Sequence, residues 1–111
     1  MPATTISIEY TQTAKSTLND VVYHLQRNQI DPRPIVNEML SDFENKVLVF
    51  PKGCPISPEL IKLGCDKYRE CNTTNGYRVL YSVSEKMITA HVILSQRQDV
   101  QQLLFKRLIE A

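Results

Sequence analysis

Two apolar segments joined by a three-residue polar linker restrict the fold of this chain more than any other feature. The first, YRVLYSV, spans residues 77–83, and the second, MITAHVIL, spans residues 87–94, with SEK between them. Tyrosine, valine and isoleucine favour extended strands, and so short a linker predicts an antiparallel hairpin. The segment KYREC, residues 67–71, precedes the hairpin across NTTNG. The three segments together predict an antiparallel three-stranded meander.

The residues before the meander predict one strand and two helices. The segment ISIEY, residues 6–10, alternates apolar and polar side chains at the period of a half-buried strand. Thr11 or Thr13 then caps a first helix, and Asp31 followed by Pro32 starts a second one. A short loop joins the two into a helical hairpin. The apolar stripes of the hairpin comprise Leu18, Val21, Val22 and Leu25 in the first helix and Ile35, Met39, Leu40, Phe43 and Val47 in the second.

A connector and a final helix complete the predicted elements. The stretch from Phe50 to Gly64 contains three prolines and two glycines, which predict an irregular connector with one short helical turn after Ser57. Asp99 caps a terminal helix with Val100, Leu103, Leu104 and Leu108 at helical spacing. The predicted class is α+β in the order β-α-α-β-β-β-α, with the helical hairpin packed on one face of a small twisted antiparallel sheet. A length of 111 residues predicts a single domain, residues 1–111.

Composition excludes several classes of protein and of site. The chain has no run of 18 apolar residues, and its start, MPATTISIEY, lacks the basic and apolar regions of a signal peptide. We therefore expect a cytoplasmic protein that does not bind membranes, with its three cysteines reduced. Zinc-ligand spacing, a P-loop and GxGxxG are all missing from the sequence, so we expect no metal and no other cofactor.

Charge is distributed unevenly along the chain. Residues 1–45 hold three basic and six acidic side chains, whereas residues 46–111 hold ten basic and six acidic ones. A basic second half is either a site for an anion or an ordinary mixed surface.

Four cations in and beside the meander are the candidate functional residues. Alternation along YRVLYSV puts tyrosine and valine on the face expected to meet the helices, and Arg78 on the face that the two helices leave uncovered. Lys67 and Arg69 share one face of the preceding strand with Cys71, and Arg97 follows the last strand. Such a cluster would bind phosphate, because arginine holds it through two hydrogen bonds and stays charged. A nucleic-acid backbone is therefore one candidate ligand.

The alternative is that these arginines are structural. Arg69 and Arg78 would then pair with acidic side chains such as Glu70, Asp66 or Glu85 and solvate an open sheet face. Spacing alone does not choose between the two interpretations.

A nucleophilic cysteine is a weaker hypothesis. Cys54, in PKGCP, could act beside His91, but no local motif supports such a pair. We expect an inert Cys54 and a His91 that is hydrogen-bonded within the sheet.

The element order and the segment KYRECNTTNGYRVLYSVSEKMITAHVILSQRQDVQQLLFKRL resemble the RelE/ParE superfamily, the toxins of bacterial type II toxin–antitoxin modules. The resemblance covers residues 66–109 and, by order and length, the first strand and the helical hairpin. RelE-like members cut mRNA on the ribosome, whereas ParE-like members poison DNA gyrase. The resemblance implies growth inhibition, plasmid stabilisation and a hetero-oligomer with a cognate antitoxin. The expected target is the ribosome with mRNA or, alternatively, DNA gyrase.

Residue by residue, the resemblance favours RelE-like cleavage. Arg78 falls on the strand arginine of GYR, Arg97 on or next to the arginine after the last strand, and Arg69 on the first of two strand lysines. The resemblance makes these three the catalytic residues, which would stabilise charge on the scissile phosphate. Lys67 would join them in binding nucleic acid.

Two positions depart from the RelE-like pattern. Cys71 falls on the second strand lysine, and Leu103 or Leu104 falls near the aromatic acid–base residue of the terminal helix. Leucine cannot transfer a proton. A ParE-like gyrase poison without nuclease activity and an inactive binding module with the toxin fold are therefore the alternatives.

Overall fold

The computed structural model of the chain describes residues 6–95, and the predicted terminal helix from Asp99 lies outside them. Within these residues the chain forms four strands and three α-helices, with a 3-10 turn at Thr74–Gly76. The α+β class is confirmed, and the short helix α3 lies in the predicted connector. The bounds are β1 Ser7–Tyr10, α1 Gln12–Arg27, α2 Pro32–Val49, α3 Pro58–Ile61, β2 Arg69–Asn72, β3 Tyr77–Ser84 and β4 Met87–Ser95.

The four strands form one sheet in the order β1-β4-β3-β2. Strands β2, β3 and β4 pair antiparallel, as the meander predicted, whereas β1 lies parallel to β4. The sheet is therefore mixed. The direction of β1 relative to β4 is determined by the path of the long connection between them, which includes the helical hairpin. A register shift after Leu80 leaves His91 as an extra residue of β4 and changes where its side chain points.

Helix α1 continues the hydrogen bonding along the outer edge of β4. Strand β1 pairs with this edge only as far as Ala90. Beyond it, the hydroxyl of Thr11, the N-cap of α1, donates to the His91 carbonyl at 3.2 Å. The backbone N–H of Ile93 donates to Thr17 Oγ1 at 3.0 Å. A buried main-chain donor is thus satisfied by a helix side chain beyond the last residue of β4 that pairs with β1.

Helix α2 supplies the largest side chains of the main core. Its start is the predicted one, since the Asp31 carboxylate accepts a hydrogen bond from the Arg33 backbone N–H. Met39, Phe43 and Val47 are fully buried. Helices α1 and α2 cover one face of the sheet, so the predicted helical hairpin on one face is confirmed. The sheet side of this core consists of Cys71, Val79, Tyr81, Ile88, Ala90 and Ile93.

The opposite face of the sheet, here called the second face, is covered as well. Leu60 of α3 packs against Leu80, Val92 and Leu94, and all four side chains are at most 5% exposed. The expectation of an uncovered face beside Arg78 is therefore wrong. The connector forms this cover because its central residues pair with the free edge of β2 before α3 folds over the sheet.

Among residues 6–95, no helix has both the length and the apolar character needed to cross a membrane.

Candidate functional site

Arg78 is the centre of a buried charge cluster on the second face. Its Nη1 donates to Glu59 Oε1 at 2.6 Å and to Glu70 Oε1 at 3.2 Å. Its Nη2 lies 3.5 Å from the carbonyl oxygen of Ser95. Only 7% of Arg78 is exposed. These distances define the Arg78 cluster, which comprises Arg78, Glu59 and Glu70.

The Arg78 cluster comes from three elements that are distant in sequence. Arg78 lies on β3, Glu70 on the adjacent strand β2, and Glu59 on α3 of the connector. The antiparallel register pairs Glu70 with Leu80, so the glutamate and the arginine share the second face. Glu70 was among the acidic partners considered from the sequence, whereas Glu59 was not. The role of Glu59 depends on where the connector lies against the sheet, and no local pattern in the sequence indicates that position.

The electrostatics of the cluster oppose anion binding. Two carboxylates face one guanidinium within the described part of the chain, and both ion pairs are largely shielded from water. A phosphate at this guanidinium would lie beside the negative charges of Glu59 and Glu70. Buried carboxylates next to an arginine repel a second anion strongly, because the local dielectric is low.

Arg69 lies on the other face of the sheet. It is paired with Tyr81 in the β2–β3 register, and Tyr81 belongs to the helix-covered core. Its Nη1 donates to the carbonyl of Lys52 at 3.1 Å and to that of Cys54 at 2.7 Å. Arg69 and Arg78 therefore lie on opposite faces of the sheet, so the prediction that they belong to one cluster of cations is wrong; the register aligns Arg78 with Asn72 and Arg69 with Tyr81.

The other two predicted cations do not complete a cluster among the described residues. Lys67 is exposed and precedes β2, which begins at Arg69 and not at position 67. Arg97 lies outside the described residues. The roles assigned to Lys67, Arg69, Arg78 and Arg97 by resemblance stay predictions, and the three described members do not converge on one surface.

Cys71 belongs to the core. It is fully buried against Val79 and Tyr81. A lysine at this position would carry its ammonium group into an apolar environment, which costs several kcal/mol as an order of magnitude. Packing therefore explains the cysteine at this departure from the RelE-like pattern.

His91 is hydrogen-bonded within the sheet, as the sequence predicted. Its Nε2 lies 2.8 Å from Ser82 Oγ, and the edge of its ring contacts Tyr68 with 4.9 Å between the ring centroids. Burial lowers the pKa of His91, so the ring is neutral near pH 7. Cys54 packs against the core on the other side of the sheet. A Cys54–His91 pair is therefore excluded.

No group of three or more histidine, cysteine, aspartate or glutamate side chains among residues 6–95 could hold a metal ion.

An exposed apolar patch, missed in the sequence analysis, lies at the end of α2. It comprises Leu48, Val49 and Phe50, which are 44%, 67% and 69% exposed. Two open clefts of about 440 and 450 Å³ lie beside Phe50. The sequence signal was the continuous run VLVF, which extends past the last core position of the helix. Exposed apolar surface of this kind marks sites of protein contact more often than sites of chemistry.

Comparison with known proteins supports the fold. No family model matches the chain, and the curated proteins contain no significant match. A chain of the chromosomal ParDE toxin–antitoxin system from P. aeruginosa has a similar structure, with a TM-score of 0.58 and 17% sequence identity. The similarity covers 84% of this chain and 98% of that one.

The chain shares the fold of that ParDE-system chain. Because the two sequences are only 17% identical, the similarity between the two chains is one of backbone fold. Arg78 lies on β3, the third strand of this fold, and the connector brings Glu59 onto it.

Proposed function

We propose that this chain is the toxin of a bacterial type II toxin–antitoxin module. In this proposal it is a single domain that acts in the cytoplasm, inhibits growth and is neutralised by a cognate antitoxin. The likeness of its backbone to a chain of a ParDE system supports this function. The match in element order and in the meander segment supports it independently.

The proposed mode of action is ParE-like, through contacts with DNA gyrase and without RNA cleavage. One observation carries this choice. Arg78, the residue that a RelE-like nuclease would use on the phosphate, is buried between Glu59 and Glu70. Both carboxylates contact Nη1 of Arg78, and their negative charges oppose the binding of a phosphate to the same guanidinium.

Two further features agree with a protein target. Arg69 is bound to connector carbonyls on the other side of the sheet, so it cannot assist Arg78. The exposed patch of Leu48, Val49 and Phe50 offers the apolar area that a protein interface buries.

The test uses purified chain in two parallel assays. With DNA gyrase, supercoiled plasmid and ATP, we expect broken DNA to accumulate in proportion to the chain added. With translating ribosomes, we expect the mRNA to remain intact. Codon-dependent mRNA cleavage without gyrase-linked breaks would overturn the proposed target. A chain that does not arrest growth when induced alone would support the inactive binding module instead.

Ribosome-dependent cleavage is the second candidate because of one observation. The His91 ring, neutral near pH 7, lies with Ser82 on the same face as Arg78 and could accept a proton. This mode requires Glu59 to leave Arg78. It predicts that Glu59→Gln increases mRNA cleavage and that His91→Gln abolishes it, whereas the ParE-like mode predicts no cleavage from either variant.

A further inference from the structure

Two cysteines face each other where the connector runs along the edge of β2. Ile56 forms an antiparallel bridge with Arg69. On either side of this bridge, the Ser57 N–H donates to the Tyr68 carbonyl and the Glu70 N–H to the Pro55 carbonyl, each at 2.9 Å. The register of this bridge, extended by two residues, places Cys54 opposite Cys71, and the two thiols are close enough to hydrogen-bond. The alternation of the hydrogen bonds makes this a position without direct main-chain bonds, where facing side chains approach most closely.

The spacing at such a position suits a disulfide. Cα atoms of a non-hydrogen-bonded antiparallel pair are about 4.5 Å apart, and disulfides occur at Cα separations of about 4.4 to 6.8 Å. Cys54 and Cys71 also lie in the same core, with Cys54 packed against the cluster that contains Cys71. Burial, and then the adjacent Cys54 thiol, raise the pKa of Cys71 to about 12. The two sulfur atoms are thus neighbours in the reduced protein.

The two thiols differ in access to solvent. Cys71 is fully buried, whereas Cys54 is half-buried and lines the open cleft beside Phe50, which has a volume of about 440 Å³. A small oxidant can therefore reach Cys54 first. The third cysteine, Cys65, packs against Leu60 on the second face, on the other side of the sheet.

We propose that Cys54 and Cys71 are a redox-active pair that closes to an intramolecular disulfide when a hydroperoxide oxidises Cys54. This inference does not depend on the proposed function. Cys54 Sγ attacks the peroxide, the O–O bond breaks, and a sulfenic acid and one water form. Cys71 Sγ then attacks the Cys54 sulfur and displaces a second water. Two thiols and one hydrogen peroxide become one disulfide and two waters, so atoms and electrons balance.

The disulfide would fasten the connector to β2. The same connector carries Glu59 onto Arg78 and Leu60 onto the second face. Closing the bond therefore holds the cover of the second face in place, and reduction releases it. A closed loop of this length raises the melting temperature by about 10 °C.

The test is to treat the full chain with hydrogen peroxide, unfold it, alkylate the remaining thiols and determine the intact mass. We expect one alkylated cysteine after oxidation in place of three before it. Trypsin separates the cysteines, because Cys54, Cys65 and Cys71 lie in peptides 53–62, 63–67 and 70–78. We expect peptide 53–62 bound to peptide 70–78, and a rise in melting temperature that dithiothreitol reverses.

Matched variants keep the outcome interpretable. The Cys65→Ser variant should form the same disulfide and retain no thiol to alkylate. The Cys54→Ser variant should form no disulfide. Cys54→Ser changes a half-buried residue, so it tests the pair without the folding risk of replacing the buried Cys71. Three alkylated cysteines after peroxide, an intermolecular bond, or a bond that includes peptide 63–67 would overturn the proposal.

Discussion

Arg33 and Arg78 both form ion pairs with carboxylates, but the two arginines differ greatly in their access to water. Arg33 pairs with Asp31 at 3.1 Å, with side chains 84% and 52% exposed. Arg78 pairs with Glu59 and Glu70, and its side chain is only 9% exposed. Water and salt screen the first pair almost completely, whereas the second lies in a region of low dielectric. At the scale of the residue, burial decides what an ion pair does for the fold.

Arg78→Ala should lower the free energy of unfolding by about 3 to 5 kcal/mol, because it leaves two carboxylates without their buried counter-charge. Urea denaturation measures the loss. Arg33→Ala is the matched control, since it breaks an exposed pair, and we expect no change in its urea midpoint. Equal effects of the two substitutions would contradict the role given to burial.

The pH dependence of stability should report on His91. Burial lowers its folded-state pKa from the ordinary value of about 6.5. Between these two values the unfolded chain binds a proton that the folded chain does not, so stability falls as the pH drops below about 6.5. His91→Gln should reduce the difference between urea midpoints at about pH 7.5 and pH 5.5. His24→Gln, at an exposed position of α1, should leave that difference unchanged.

At the scale of the element, the outer edge of β4 shows how a short strand is compensated. Strand β1 has four residues and pairs with less than half of β4, which has nine. Among the described residues, no strand pairs with the other half of this edge, which presents both main-chain donors and main-chain acceptors. The hydroxyl of Thr11, the N-cap of α1, donates to the His91 carbonyl, and Thr17 Oγ1 on α1 accepts from the Ile93 N–H.

Thr17→Val should therefore cost about 1 to 3 kcal/mol of stability, because it keeps the shape of the side chain and leaves the buried Ile93 N–H without its acceptor. Thermal or urea unfolding measures this cost. Thr13→Val provides the control on the same helix, since Thr13 is exposed. A loss of the same size in both variants would show that helix propensity, and not the hydrogen bond, is responsible.

At the scale of the whole molecule, the two faces of the sheet are covered by elements that form hydrophobic cores of unequal size. Helices α1 and α2 bury a large core on one face, whereas the second face has a smaller one built around Leu60. The connector segment that carries Leu60 is attached to the edge of β2 by a few main-chain hydrogen bonds. Regions with few buried apolar contacts open before the rest of a protein.

Hydrogen exchange followed by mass spectrometry should separate the two covers. We expect amides of β3 and β4 to exchange only through global unfolding, and amides of residues 56–61 to exchange at least about 10-fold faster. Leu60→Ala should speed exchange in the connector more than in α2. Equal protection of α3 and β3 would mean that the connector and the sheet unfold as one unit.

The strands of the meander, the caps of both long helices and the apolar stripe of α2 followed from the sequence alone. These features depend on neighbours within a few residues: the period-2 alternation of YRVLYSV, the Thr11 and Asp31 side chains beside free N–H groups, and Met39, Phe43 and Val47 at helical spacing. The side of the sheet to which Arg78 points followed from the same alternation.

Tertiary structure alone decided the parallel pairing of β1, the opposite faces of Arg69 and Arg78, and the carboxylates around Arg78. Each depends on strand register or on the path of the connector, and both are determined by contacts between residues distant in sequence. A shift of one residue in the β2–β3 register would reverse the face of Arg69 without altering any local pattern. Local sequence thus determines the helices and strands, whereas the packing between them determines the environment of Arg78.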